Sequence, residues 1–195
     1  MRQAIIVFFD AMEFDLVVST LLKEFDENRI RYAVIGGFAL GLWDVSRATV
    51  DMDFLLLEDD LPEAETILAK FAYRRTYKSE NVAQYISDLA PYGQIDVLIA
   101  FRKISKSMLE RRVQKTLPGD TKIYTLTPED LIGLKLQASV NDPSREEQES
   151  SDMAQLIKAA KKRGDTIDWE LLLEYFSLFD RIDQLNELQK RYGQT

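Results

Sequence analysis

The segment Val50–Leu57, VDMDFLLL, sets the strongest constraint on the fold. Phe54, Leu55, Leu56 and Leu57 are contiguous apolar residues, the pattern of a strand covered on both faces. Two carboxylates nevertheless stand at its head. Side chains at i and i+2 of a strand share a face, so Asp51 and Asp53 project together. Like charges this close repel one another, and removing them from water is costly. A divalent cation offsets both costs, so the spacing predicts an oxygen-lined cation site at the end of a buried strand.

The flanking residues fit such a site. Ahead of it, RYAVIGG (31–37) reads as a short buried strand stopped by two glycines, and FALGLW as one or two helical turns. Gly36 and Gly37 allow the backbone to approach a phosphate closely, and a helix starting at Phe38 would offer free N–H groups to it. The pair is not a Walker A loop, because no Gly-Lys-Ser/Thr follows, nor is it G-x-G-x-x-G. Farther on, QIDVLIA embeds a third carboxylate, Asp96, in an apolar strand. If that strand lies beside DMDFLLL, three carboxylates converge. Such a set suits Mg²⁺, which takes carboxylates together with substrate phosphates. Two such ions bridge the attacking and leaving oxygens in phosphoryl and nucleotidyl transfer.

Composition narrows the remaining chemistry. The 195 residues contain no cysteine and no histidine. Disulfides, thiolate zinc sites, Ser-His-Asp and Cys-His catalysis and imidazole acid–base chemistry are thereby excluded. Carboxylates, Lys, Arg, Tyr, hydroxyls and oxygen-bound metals remain. A net charge of −8 is not that of a general nucleic-acid binder, so an anionic ligand needs a local basic patch. No apolar run is long enough to span a bilayer. AIIVFF (4–9) lacks the features of a signal peptide, so no membrane association and a cytoplasmic location are expected.

The rest of the chain reads as an α/β (α+β) core, residues 1–125, followed by a helical region, 126–195, packed on it as one structural unit. An amphipathic helix is expected from residue 3 to Asn28, with Phe14, Val17, Val18, Leu21, Leu22 and Phe25 on its apolar face. LPEAETILAKFAY (61–73) reads as a helix with Pro62 in its first turn. VAQYIS and GQIDVLIA read as an antiparallel pair across DLAPYG. SKSMLERRVQK is a basic helix or loop and KIYTL a strand fragment. TPEDLIGLKLQASV is a helix capped by Thr127 with Pro128 at its first position. NDPSREEQESS is a polar break, and helices follow at 151–163, 168–179 and 181–192. Basic clusters at 102–115 and 158–163 are either solvated faces or guides for a polyanion such as tRNA.

The stretch GGFALGLWDVSRATVDMDF resembles the signature of the nucleotidyltransferase superfamily related to DNA polymerase beta: strand, Gly-Gly, short helix, Asp-x-Asp, and a third Asp on a later strand. The form GG…R-x-T-x-D-x-D-F is similar to the subgroup that includes AbiEii-type toxins of toxin–antitoxin systems. That subgroup carries a later Lys on a helix, an Arg, and a Lys-Asp-x-x-Asp run. Here these align with Lys135, Arg145 and the pair Glu149 and Asp152, with Gln148 and Glu149 where the subgroup has Lys-Asp. The resemblance covers roughly residues 30–160. It implies a nucleotidyltransferase-like mixed β-sheet flanked by helices, with a C-terminal helical extension. It also implies that Asp51 and Asp53 bind Mg²⁺, and that Asp96 binds a second ion or acts as general base. Gly36 and Gly37 would line the triphosphate site, Arg47 and Thr49 would support that loop or touch phosphate, and Lys135, Arg145 and Asp152 would serve the nucleotide. On the residues alone, Lys135 could equally extend from a core helix through its apolar stem. Arg145 reads as a solvated cation, and Asp152 as an acidic residue near a helix N-terminus.

The implied activity is transfer of NMP from a nucleoside triphosphate to a hydroxyl or phosphate on RNA, protein or a small molecule, with an antitoxin protein as partner if the chain is a toxin. Two other readings stand beside it. One is a catalytically inactive nucleotide-binding or partner-binding module of the same fold. The other is a glycosyltransferase whose D-x-D pair holds a metal against a sugar nucleotide.

Overall fold

The computed structural model describes residues 12–193. The expected start of the first helix and the segment AIIVFF lie outside the described residues. Within them the chain divides into two compact units. One runs to Phe38 and resumes over Arg47–Thr125; the other comprises Ala39–Ser46 and the chain from Leu126 onward.

The first unit is built on a seven-stranded mixed sheet. Its strands are β1 (Tyr32–Ile35), β2 (Met52–Leu57), β3 (Tyr73–Lys78), β4 (Val82–Ser87), β5 (Gln94–Ala100), β6 (Val113–Thr116) and β7 (Lys122–Thr125). Their order in the sheet is β3-β4-β5-β2-β1-β7-β6. β5 runs parallel to β2, and β7 parallel to β1; the other neighbours are antiparallel. β2 therefore lies inside the sheet, and all its residues except Asp53 are buried. That is the arrangement the contiguous run Phe54–Leu57 demands.

Two faces follow from strand alternation. Tyr32 and Phe54 share one of them with Phe25, which arrives from a helix. Their ring centroids lie 5.5–5.9 Å apart in edge-to-face contacts, the arrangement favoured by aromatic quadrupoles. Asp53 and Asp96 point to the opposite face. The helix that supplies Phe25 consists of α1 (Phe14–Val17), a π-helical segment (Val18–Leu22) and α2 (Lys23–Glu27) in succession. Val17, Val18, Leu21, Leu22 and Phe25 are buried, as their spacing predicts.

Several boundaries differ from expectation. The helix α3 (Gly36–Leu42) begins at Gly36 rather than Phe38, so the glycines open the helix instead of preceding it. α4 (Leu61–Lys70) starts as expected with Pro62 in its first turn but stops at Lys70. The residues beyond it, YRRTYK, form β3, which the sequence reading missed. β3 is an edge strand, and everything in it after Tyr73 is exposed, so no apolar pattern marks it. The basic segment after β5 splits into α5 (Lys103–Glu110) and β6, the opposite edge of the sheet.

The second unit contains α6 (Pro128–Asn141), α7 (Glu146–Arg163), α8 (Trp169–Leu178) and α9 (Ile182–Tyr192). Thr127 caps α6 by accepting the Asp130 N–H at 3.2 Å. Asp168 caps α8 through the Leu171 N–H at 2.9 Å. α7 begins at Glu146, not 151. The acidic run read as a polar break is its first turn, where Glu146, Glu147 and Glu149 meet the positive end of the helix dipole. Residues 39–46 are tied to this unit through Trp43, whose indole N–H donates to the Leu126 carbonyl at 2.9 Å. The Trp43 carbonyl in turn accepts from the Arg163 guanidinium at 2.6 Å.

At Gly133, α6 passes close to Tyr175 of α8. A Cβ there would lie 2.8 Å from the Tyr175 ring. That ring cannot swing away freely, because its hydroxyl donates to buried Asp130 at 2.6 Å. Gly133→Val is therefore expected to destabilise the protein by about 1–3 kcal/mol through overpacking. Urea unfolding monitored by tryptophan fluorescence checks this, and an unchanged midpoint would refute it.

Candidate active site

The parallel pairing of β2 with β5 sets Asp53 directly opposite Asp96. Asp51 lies one residue before β2. One oxygen from each of Asp51, Asp53 and Asp96 falls within 4.8 Å of the others, and all three residues are half-buried. Oxygens on opposite sides of one cation, at bond lengths of 2.0–2.6 Å, are about 4–5 Å apart. The cluster thus has the donor chemistry and the dimensions to hold a hard divalent cation.

Each carboxylate is held by its surroundings. Ile35, the last residue of β1, pairs with Asp53 across the antiparallel ladder, so the chain turns at Gly36 directly beside that carboxylate. A Cβ on Gly36 would lie 1.8 Å from Asp53 Oδ2, and the residue sits at φ +64°. Gly37 is likewise closed in: its Cβ would meet Thr49 Cβ at 2.8 Å and Oγ1 at 2.9 Å, with Arg47 Cγ at 3.5 Å. The diglycine is therefore required first by the protein's own side chains. Thr49 in turn donates its hydroxyl to Asp51, to Oδ1 at 3.0 Å and to the backbone carbonyl at 3.1 Å. Asp96 accepts two amide hydrogen bonds, from Gln84 Nε2 to Oδ2 at 3.3 Å and from Gln94 Nε2 to Oδ1 at 3.0 Å.

The two glutamines were absent from the sequence reading. Gln94 had a signal: it precedes Asp96 by two in the same strand and must share its face. Gln84 had none, since its position depends on the β4–β5 register that sets it opposite Asp96.

Seven of the ten candidate residues thus lie in the first unit: Gly36, Gly37, Arg47, Thr49, Asp51, Asp53 and Asp96. Lys135, Arg145 and Asp152 belong to the second, where they meet one another. Lys135 Nζ donates to Glu149 Oε2 at 2.8 Å and to Asp152 Oδ2 at 2.7 Å. Arg145 pairs with the other oxygen of Glu149. Gln148 Nε2 donates to Asp152 Oδ1 at 3.1 Å. The side chains of Glu149 and Asp152 are only 2% and 1% exposed, so this is a buried ionic network joining α6 to α7. Gln148 and Glu149, where the sequence departs from the AbiEii-type pattern, are both working members of it.

No protein-family model matches the chain, and no curated protein sequence matches it. Solved structures do. The antibiotic-resistance factor ANT(2″)-Ia, in complex with adenylyl-2″-tobramycin, superposes with a TM-score of 0.64 at 14% identity. The match covers 84% of this chain and 97% of that one. An antigenic nucleotidyltransferase-like protein from Paracoccidioides brasiliensis gives 0.57 at 19% identity, covering 91% and 92% of the two chains. The lincosamide antibiotic adenylyltransferase LnuA, bound to lincomycin, gives 0.50 at 13%, covering 75% and 96%. The chain therefore has the α/β fold of nucleotidyltransferases.

Two substitutions test this description. Gly36→Ala forces a side chain into the Asp53 carboxylate at a left-handed φ, and the backbone conformation alone costs about 1–2 kcal/mol. It is expected to unfold at lower urea than the wild type and to lose divalent-cation binding; titration with Mn²⁺ alongside the unfolding curve reads both. Lys135→Met leaves two buried carboxylates facing each other and is expected to cost about 3–5 kcal/mol, measured as a loss of unfolding free energy.

Proposed function

We propose that this chain is an Mg²⁺-dependent nucleotidyltransferase that moves NMP from a nucleoside triphosphate to a hydroxyl or phosphate acceptor. The observation that carries the reading is the in-register pairing of Asp53 with Asp96, with Asp51 beside them, against a diglycine turn that admits no side chain. The fold shared with adenylyltransferases supports it.

In this reading Asp51, Asp53 and Asp96 would hold the metal, which would supply charge neutralisation of the triphosphate. The acceptor oxygen, its proton passing to Asp96 or to solvent when the acceptor is a hydroxyl, bonds to the α-phosphorus as the α–β bridging P–O bond breaks, and pyrophosphate leaves with the electron pair. Thr49 fixes Asp51 through its hydroxyl. Gly36 and Gly37 keep the turn slim enough for Asp53 to face the cluster, and they line the triphosphate side with Arg47. Lys135, Arg145 and Asp152 are proposed to serve the nucleotide by fixing the α6–α7 pair, since their charges are already matched within it.

A small hydroxylated acceptor fits the net charge of −8 better than a polyanionic RNA. Tobramycin, present as its adenylyl derivative in one solved structure of similar fold, and lincomycin, bound in another, are the first acceptors to try. A toxin role with an antitoxin partner is a narrower proposal, supported by the Gly36–Phe54 block.

The test is incubation with each α-labelled nucleoside triphosphate, Mg²⁺, and in separate arms tobramycin, lincomycin, a UDP-sugar competitor and total RNA. Label is expected to move to an acceptor and to stay on the triphosphate when EDTA is added or when Asp51 and Asp53 are both changed to Asn. The double variant should unfold at no lower urea than the wild type, since it removes two mutually repelling charges. Undiminished transfer by that variant would refute the assignment. Nucleotide binding without Mg²⁺ dependence or transfer would instead identify a binding module.

A further inference from the structure

Asp96 is the member of the acidic cluster that comes from a different strand, so its orientation decides whether three carboxylates or two face the cation. It is gripped from both sides. Gln94 approaches Oδ1 from the same strand, and Gln84 approaches Oδ2 from the neighbouring strand β4. A carboxylate offers about four lone-pair directions, two on each oxygen. The two amides take one on each oxygen and leave one on each for a metal. The rotation of the carboxylate about its Cβ–Cγ bond is thereby fixed at both ends.

The identity of these donors matters as much as their position. An amide is neutral. It orients a carboxylate without adding the positive charge by which Lys or Arg would compete with a cation for the same oxygens. The hydroxyl of Thr49 on Asp51 is a donor of the same kind. Gln94 is exposed and Gln84 half-buried, so neither is needed as core filling.

We propose that Gln84 and Gln94 are positioning residues that set Asp96 as a metal ligand, aligned with Asp53 before the cation arrives. The proposal rests on the metal-binding reading of the cluster. Partners that orient a metal ligand typically contribute a factor of 10–100 in metal affinity.

The experiment is a direct Mn²⁺ titration without nucleotide, in which free Mn²⁺ is read by electron paramagnetic resonance and urea unfolding is measured on the same samples. Gln84→Leu and Gln94→Leu are each expected to weaken Mn²⁺ binding roughly 10-fold, and the double variant up to roughly 100-fold. Unfolding midpoints should stay at the wild-type value. Wild-type Mn²⁺ affinity in both leucine variants would overturn the proposal while leaving the metal site intact, provided Asp51→Asn still abolishes binding. Loss of affinity only in step with loss of stability would also overturn it. Mn²⁺ binding that survives Asp51→Asn and Asp53→Asn would instead overturn the metal reading beneath it.

Discussion

The carboxylate of Asp53 occupies the volume that a side chain on residue 36 would take. Much of the site's geometry follows from that single exclusion. β1 must end where it does, because the next residue has to turn at positive φ with no side chain. β2 must run antiparallel to β1 in the register that sets Ile35 against Asp53. β5 must then lie on the far side of β2, parallel to it, for Asp96 to meet Asp53. Three mutually repelling groups are thus held by a backbone arrangement the apolar strands impose, with neutral donors from Thr49, Gln84 and Gln94 arranged around them. Charge repulsion is tolerated because the hydrophobic burial of Phe54, Leu55 and Leu56 fixes the strand regardless.

The interior of this sheet was legible in the sequence, and its edges were not. β1, β2 and β5 announce themselves by runs of buried apolar residues, and the face shared by Asp51 and Asp53 follows from strand alternation. β3 and β6 lie at the two edges and alternate no apolar residues, so their pairing depends on neighbours that only the folded chain provides. The sequence places the start of α7 five residues late, because a run of acidic residues resembles a linker, whereas at a helix N-terminus the same charges are favourable. In the sequence the glycines suggest room for a ligand. The folded chain puts Asp53 and Thr49 in that room, which sequence spacing could not reveal because the contact crosses between strands.

The second unit handles charge in another way. Around Asp96 the side-chain donors are the neutral amides of Gln84 and Gln94. Around Asp152 and Glu149 they include the ammonium of Lys135, and Arg145 closes the network from the more exposed side. Two carboxylates that are matched in charge and almost fully removed from water have little to offer a cation. The contrast separates a carboxylate oriented by neutral amides, Asp96, from a pair matched by cationic side chains, Glu149 and Asp152. Gln148 and Glu149 both belong to that network.

The segment 39–46 lies in sequence between the diglycine and Asp51 yet belongs to the helical unit, anchored there by Trp43. The chain therefore leaves the sheet unit after Phe38 and re-enters it at Arg47, just before the acidic strand. A fragment ending at Thr125 would retain every carboxylate of the cluster but strand Trp43 and its neighbours without Leu126 and Arg163. Gene truncation at the obvious junction is consequently a poor way to isolate the cation-binding half. A shortened clone would do better to replace the excursion from Ala39 to Ser46 with a brief polar connector as well as removing the C-terminal helices.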